Sequence, residues 1–453
     1  MSLSLAGLIA IAAIVAMLLS GRVSPLVAFV LVPIVAALVT GFGIEDIATF
    51  YEQGFARVIP VAVMFVFAIL FFGILQDAGL FEPIILKVLS VSKGNVVSIT
   101  VATALVACIA HLDGSGATTF LLTIPALYPT YQRLRMSPYL LLLLVGFLGA
   151  SIMNMLPWAG PLARIGSVLG MSPGELWQPL IPLQIFALIL LLSLAVVLGM
   201  RENRRIKRLP PLTSHASQGE AASGAAIQET PEAQPVVNKV PAWRMTFNAL
   251  LLIAVVAALT TDVLPPALVF MIGVALALPV NITHMDGQMQ SIKRHAPNAL
   301  IMATIIIAAG TFLGILNGSN MLSELSADIV AILPAAVVPY MHILIGIFGV
   351  PFDLILSTDA YFFAFLPIVV EVVGNAGVPA VSTAYAMVIG NIIGTFVSPL
   401  TPAVWLALQL AGLEMGKHIR YSFGIMWGFS LVLLLFGYLF GRYHIVKSLK
   451  RYP

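Results

Sequence analysis

Four short polar stretches interrupt an otherwise apolar chain, and they hold most of the side chains able to do chemistry. The first, HLDGSGATT at 111–119, sets Asp113 among Ser115, Gly116, Thr118 and Thr119. The second, NMLPWAGP at 154–161, carries Asn154 and Gly160 and is followed by Arg164. The third, PFDLILSTD at 351–359, contains Asp353, Ser357, Thr358 and Asp359, and the fourth, TFVSPLTP at 395–402, contains Thr395, Ser398 and Thr401. An isolated carboxylate in an apolar environment must be neutralised by a proton, a metal ion or a cationic side chain. Ionisable groups at membrane depth therefore mark ion or solute paths. Asp113 and Asp359 are the prime candidates to bind a coupling ion, while Asp353 reads equally as a structural group. Arg164 could pair with one of these carboxylates or take a carboxylate of a bound solute bidentately. His111 reads as a satisfied interior polar group, and Trp158 and Trp405 as packing beside the breaks.

Other chemistries lack their parts. Cys108 is the single cysteine, which excludes an internal disulfide and a cysteine-based metal cluster. No His-Glu-x-x-His zinc motif occurs. The protein is expected to supply no metal site and no cofactor of its own.

The elements that must position these residues are set by composition. Of 453 residues, 60% are hydrophobic and 9% charged, with a mean hydropathy of +1.05. A soluble domain carries roughly 25% charged residues, so this chain cannot coat a solvated surface. Apolar blocks run over 3–19, 23–41, 58–75, 138–153, 179–200, 244–260, 264–282, 297–316 and 421–440. Each approaches the ~20 residues that carry a helix across a bilayer. The first block has neither a basic leader nor an Ala-x-Ala-like cleavage site and reads as a retained span. The expectation is an all-α polytopic membrane protein with about ten transmembrane helices. Its partners are membrane lipid and a small solute. The net charge of +3 arises from loop residues that report orientation, not nucleic-acid binding.

The chain divides into two halves, 1–200 and 243–441, joined by a polar, Pro- and Ser-containing linker at 201–242 and followed by a tail at 442–453. The halves align at an offset near 241 residues: Gly73 with Gly314, Pro138 with Pro379, Gly149 with Gly390, Pro161 with Pro402. With the basic cluster Arg201–Arg208 placed in the cytoplasm, loops at 284–296 and 77–95 fall inside. Their counterparts at 42–57 and 318–328 fall outside, as inverted repeats require. The tail (Arg442, Lys447, Lys450, Arg451) then lies outside, against the positive-inside rule.

Residues 95–132 and 331–373 read as re-entrant hairpins with the polar stretches at their tips. Segments 138–170 and 380–413 read as broken helices, because two prolines in each interrupt the hydrogen-bond ladder. Non-helical backbone at membrane depth is tolerated only where it is buried or lines a watery cavity. Paired breaks in two halves point to a transporter site, and the half-helix starts suit a carboxylate.

LDGSGATTFLLT (112–123), MNMLPWAGPLAR (153–164) and TDAYFFAFLP (358–367) resemble the citrate–divalent metal:proton symporter family of the ion transporter superfamily. The resemblance covers nearly the whole chain apart from the linker. It implies an elevator-type transporter with two opposed hairpins and two broken helices around a central site, assembled as a homodimer in the bacterial inner membrane. It further implies proton-coupled symport of citrate or a related di- or tricarboxylate, with Mg2+ or Ca2+ carried in the substrate complex. Ser115, Gly116, Thr118, Thr119, Asn154, Gly160, Arg164, Ser357, Thr358, Thr395, Ser398 and Thr401 would hold the cargo. Asp113, Asp359 and Asp353 would serve the coupling ion. The chain departs from the family pattern at Ser115, where the pattern has a second aspartate, which weakens the case for a metal-complexed cargo. The rival readings are a sodium-coupled di- or tricarboxylate transporter, a gluconate-type sugar-acid proton symporter, a channel and an intramembrane enzyme.

Overall fold

The computed structural model describes residues 1–440 apart from 21, 92–94, 210–240 and 262. The expected tail at 442–453 and most of the expected linker lie outside the described residues. Among the described residues the regular structure is entirely helical.

Two sets of helices follow one order. The first set is α1 (Leu3–Ser20), α2 (Pro25–Val39), α3 (Ile44–Asp77), α4 (Glu82–Val91), α5 (Val96–Ala110), α6 (Gly116–Arg133), α7 (Pro138–Met153), α8 (Gly160–Leu169) and α9 (Pro173–Lys207). The second is α10 (Ala242–Thr261), α11 (Pro266–Asn281), α12 (Met285–Gly318), α13 (Met321–Ile332), α14 (Val338–Ile347), α15 (Ala360–Gly374), α16 (Ala380–Phe396), α17 (Pro402–Ala411) and α18 (Met415–Leu439). α3 and α12 have the same length, 34 residues, and begin 241 positions apart. Five helices among the described residues, α3, α9, α10, α12 and α18, are long and apolar enough to cross a membrane. Several blocks expected as full spans are shorter: prolines at the first helical turn of α2 and α11 fix late starts.

The expected loops at 42–57 and 284–296 are corrected. Both are the opening turns of α3 and α12. Asp46 accepts from the Gly43 backbone amide at 2.9 Å and starts α3 at the polar residues. Similarly, 77–95 and 318–328 contain α4 and much of α13. The linker also begins later than position 201, because α9 continues to Lys207. Glu202 anchors that extension: it is buried and accepts from the Ser137 amide and from Arg205.

α3 and α12 pack against each other along their length. The packing depends on glycine. A Cβ on Gly54 would lie 2.0 Å from the Gly310 carbonyl oxygen, and one on Gly314 would lie 2.2 Å from that of Phe50. In a bilayer, helices associate through such close packing rather than through a hydrophobic drive. α3 also packs on α11, and α12 on α2, which extends the pseudo-symmetry. The same rule builds the second unit. α7 lies on α5 where Gly149 meets Ala107, and α16 lies on α14 where Gly390 meets Gly346. The two halves then interlock: α17 packs on α6, and α8 on the π-helical start of α15. This interlock brings the four polar stretches together.

Candidate functional site

A cavity of about 720 Å³ opens where the interruptions meet the pair α3 and α12. Its walls include Asp113, Ser115, Gly116, Thr118, Asn154, Gly160, Arg164, Thr358, Thr395 and Thr401. Local chemistry shapes each contributor. In the turn between α5 and α6, Asp113 Oδ1 accepts from the Ser115 amide at 2.9 Å, and Gly114 takes a φ of 72° that favours glycine. Ser115 caps α6: its Oγ accepts from the Thr118 amide at 3.4 Å and from Thr118 Oγ1 at 2.9 Å. Gly116 is held without a side chain, because a Cβ there would come within 2.7 Å of the Phe396 ring.

The broken segments supply the other walls. α7 ends at Met153 and α8 begins at Gly160; α16 ends at Phe396 and α17 begins at Pro402. Thr401 Oγ1 donates to the Thr395 carbonyl at 2.8 Å and closes the second break. The two broken helices touch just before their breaks, where Ser151 Oγ donates to the Ile393 carbonyl at 3.3 Å. The first turns of α6, α8 and α17 thus all line the cavity, bringing three positive dipole ends to one space.

Arg164 resolves between its two readings: it is paired. Its Nε and Nη2 both reach Asp359 Oδ1 at 2.7 Å, across 195 residues of sequence. The guanidinium also sits 5.8 Å from the Phe363 ring centroid. A Cβ on Gly160 would lie 2.6 Å from Arg164 Nη1, so glycine there is what lets the guanidinium fold back.

Not every expected cargo ligand reaches the cavity. Thr119 is fully buried and bonds His111 Nδ1 at 2.7 Å, and His111 Nε2 meets Asn154 Oδ1 at 3.0 Å. His111 is thus the satisfied interior group that its position suggested. Ser357 accepts from the Ala360 amide, and Ser398 from the Leu400 amide; both hold local turns and neither lines the cavity. Asp359 lies behind Arg164, outside the lining. Asp353 lies deeper still, 1% exposed, and its Oδ2 finds no donor among the described residues. Trp158 is buried, lines the cavity, stacks on Phe72 at 5.1 Å and donates to the Leu112 carbonyl, whereas Trp405 is 53% exposed and outside that lining.

Sequence reasoning missed the part of the wall that α3 and α12 supply. Asp77, Arg294 and His295 line the cavity from α3 and α12. The signal was three consecutive basic residues, Lys293–His295, which a loop assignment for 284–296 set aside. A Gly-x-Ser-x-Gly pattern at 170–174 has the letters of a hydrolase nucleophile turn, but Ser172 is spent on capping α9 with Glu175. Among the described residues no group of three or more His, Cys, Asp and Glu could hold a metal ion.

The sequence model of a family described as citrate transporter matches residues 4–390. The chain belongs to the citrate transporter family. Two relatives from Bacillus subtilis (strain 168) extend the match. A protein named citrate transporter is 35% identical over 97% of this chain and 99% of its own length. One named Mg(2+)/citrate complex secondary transporter is 34% identical over 96% of each chain. The fold resembles the crystal structure of the Alcanivorax borkumensis YdaH transporter, with a TM-score of 0.60 and 15% identity over 88% of this chain and 89% of that one. Membership in this family makes the chain a membrane transporter and not an enzyme.

Proposed function

We propose that this family member is a secondary symporter of citrate or a closely related di- or tricarboxylate, driven by protons, in the bacterial inner membrane. The observation that carries the reading is the convergence of three helix starts with Ser115, Thr118, Asn154 and Arg164 on one cavity. Helix starts and a guanidinium are complementary to carboxylates, and the volume falls in the range of small-molecule sites. Thr358, Thr395 and Thr401 complete the cradle from the second half. Thr119, Ser357 and Ser398 support it from behind, through the bonds described above. The relative named for a Mg(2+)/citrate complex supports a metal-citrate cargo, with the ion travelling as part of the substrate.

Coupling falls to Asp113 at the cavity and Asp353 behind it, with Asp359 acting through Arg164. A sealed carboxylate with one oxygen left without a donor among the described residues calls for a proton or a cation when the site is occupied. Sodium is the alternative, favoured by the nearby Asn391 Oδ1, which is a second buried acceptor without a donor among the described residues. The glycine-tight packing of α3 on α12 supports an elevator in which that pair stays fixed while hairpins and broken helices move; the homodimer rests on the family resemblance.

The test is uptake of labelled citrate and succinate into proteoliposomes, with and without Mg2+, Ca2+, Na+ and a pH gradient. Citrate accumulation driven by an inward proton gradient is expected. Uptake that follows sodium and ignores pH refutes proton coupling, and flux that never exceeds equilibrium refutes a symporter.

A further inference from the structure

The cavity has a wall that the family reading does not use. Asp77 is the last residue of α3, where the negative end of the helix disfavours a carboxylate. Three donors from α12 meet its Oδ2: Arg294 Nη1 at 3.0 Å, His295 Nε2 at 3.0 Å and Ser291 Oγ at 3.4 Å. The imidazole of His295 lies flat on Gly73, where a Cβ would come within 2.5 Å of Nδ1. Arg294 and His295 both line the cavity, together with Gln76 and Asn298.

A purely structural role explains these contacts poorly. α3 and α12 are already joined backbone to backbone at Gly54, Gly310 and Gly314, the last two about 24 and 30 Å along α12 from Arg294 at 1.5 Å per residue. The Arg294 side chain stays 59% exposed and commits one of its five N–H donors to Asp77. At the same cavity, Arg164 is held by Asp359. The lining therefore holds two guanidinium groups, one on α8 and one on α12, each parked on an internal carboxylate.

We propose that Arg294 and His295 form a second carboxylate-binding subsite, whose place Asp77 keeps until cargo arrives. This rests on the polycarboxylate reading above. One carboxylate of the cargo engages the helix starts and Arg164. Another displaces Asp77 from Arg294, so that the negative charge of the cargo is shared between walls. The subsite then selects for molecules long enough, and charged enough, to span both walls.

The experiment is citrate uptake by full-length protein in proteoliposomes, with unlabelled succinate as competitor, for Arg294→Gln, Arg294→Lys, Asp77→Asn and the Asp77→Asn/Arg294→Gln pair. Losing a charge-assisted contact raises the citrate KM by about tenfold or more in Arg294→Gln, with Arg294→Lys between it and the native protein. The preference for citrate over succinate shrinks in parallel. Asp77→Asn removes the internal competitor and lowers KM, and the double variant behaves like Arg294→Gln. A citrate KM within twofold of native in a folded Arg294→Gln overturns the subsite. If that variant does not fold, an unchanged or raised KM in Asp77→Asn overturns it. A native protein that takes up neither acid overturns the functional reading itself, and this subsite with it.

Discussion

The Arg164–Asp359 pair offers a quantitative test of how the two halves are held together. Two guanidinium nitrogens approach one oxygen at 2.7 Å, with side chains only 11% and 16% exposed. At an effective dielectric of about 20, charges at that separation attract by about 6 kcal/mol. Desolvation of both ions offsets several kcal/mol of this. Removing one partner leaves the other charge buried, and the single variants Asp359→Asn and Arg164→Gln should each cost about 3 kcal/mol or more in stability. The double variant should be no worse than either single, so the double-mutant cycle should return a coupling of about 3 kcal/mol or more. Thermal unfolding of purified protein in one detergent gives all four corners of the cycle. Strictly additive losses would mean that the pair is not coupled, and would refute the argument that it ties α8 to α15. Citrate uptake should fail in the double variant even where stability recovers, because Arg164 also lines the cavity.

Three further outcomes are expected. Gly314→Ala should destabilise by about 1–3 kcal/mol, since its Cβ would press on the Phe50 carbonyl, whereas Gly424→Ala, with open space around it, should be neutral or stabilising in the same unfolding assay. Asp113→Asn keeps the acceptor for the Ser115 amide and so keeps the turn, but it should abolish gradient-driven accumulation of citrate while tracer exchange persists; unchanged accumulation would remove Asp113 from coupling. His111→Phe should cost about 1–3 kcal/mol by removing the imidazole between Thr119, which keeps its bond to the Ser115 carbonyl, and Asn154, measured as a lowered unfolding midpoint, with the loss of uptake following the loss of fold.

Much of the architecture was legible because its signals are local. Runs of apolar residues cannot be solvated, so membrane residence follows from composition. Paired prolines break a helix wherever they occur, so the interruptions at 154–161 and 395–402 could be read directly. The repeat was visible through Gly149 and Gly390, both of which the structure uses where a broken helix lies on its neighbour. Polar residues misled where a helix carries them on an exposed face: Glu45, Asp46 and Glu52 belong to α3, not to a loop.

Sequence by itself determined the class of molecule and pointed to the polar stretches that the structure gathers round one cavity. Only tertiary structure decided the roles within that site. Which hydroxyls face the cavity and which cap helices depends on how α6, α8, α15 and α17 interlock. That Arg164 meets Asp359, and Arg294 meets Asp77, depends on contacts between residues about two hundred positions apart. Charge pairing falls off within a few ångströms, and no local pattern encodes distances set by glycine-tight packing between two halves of a chain.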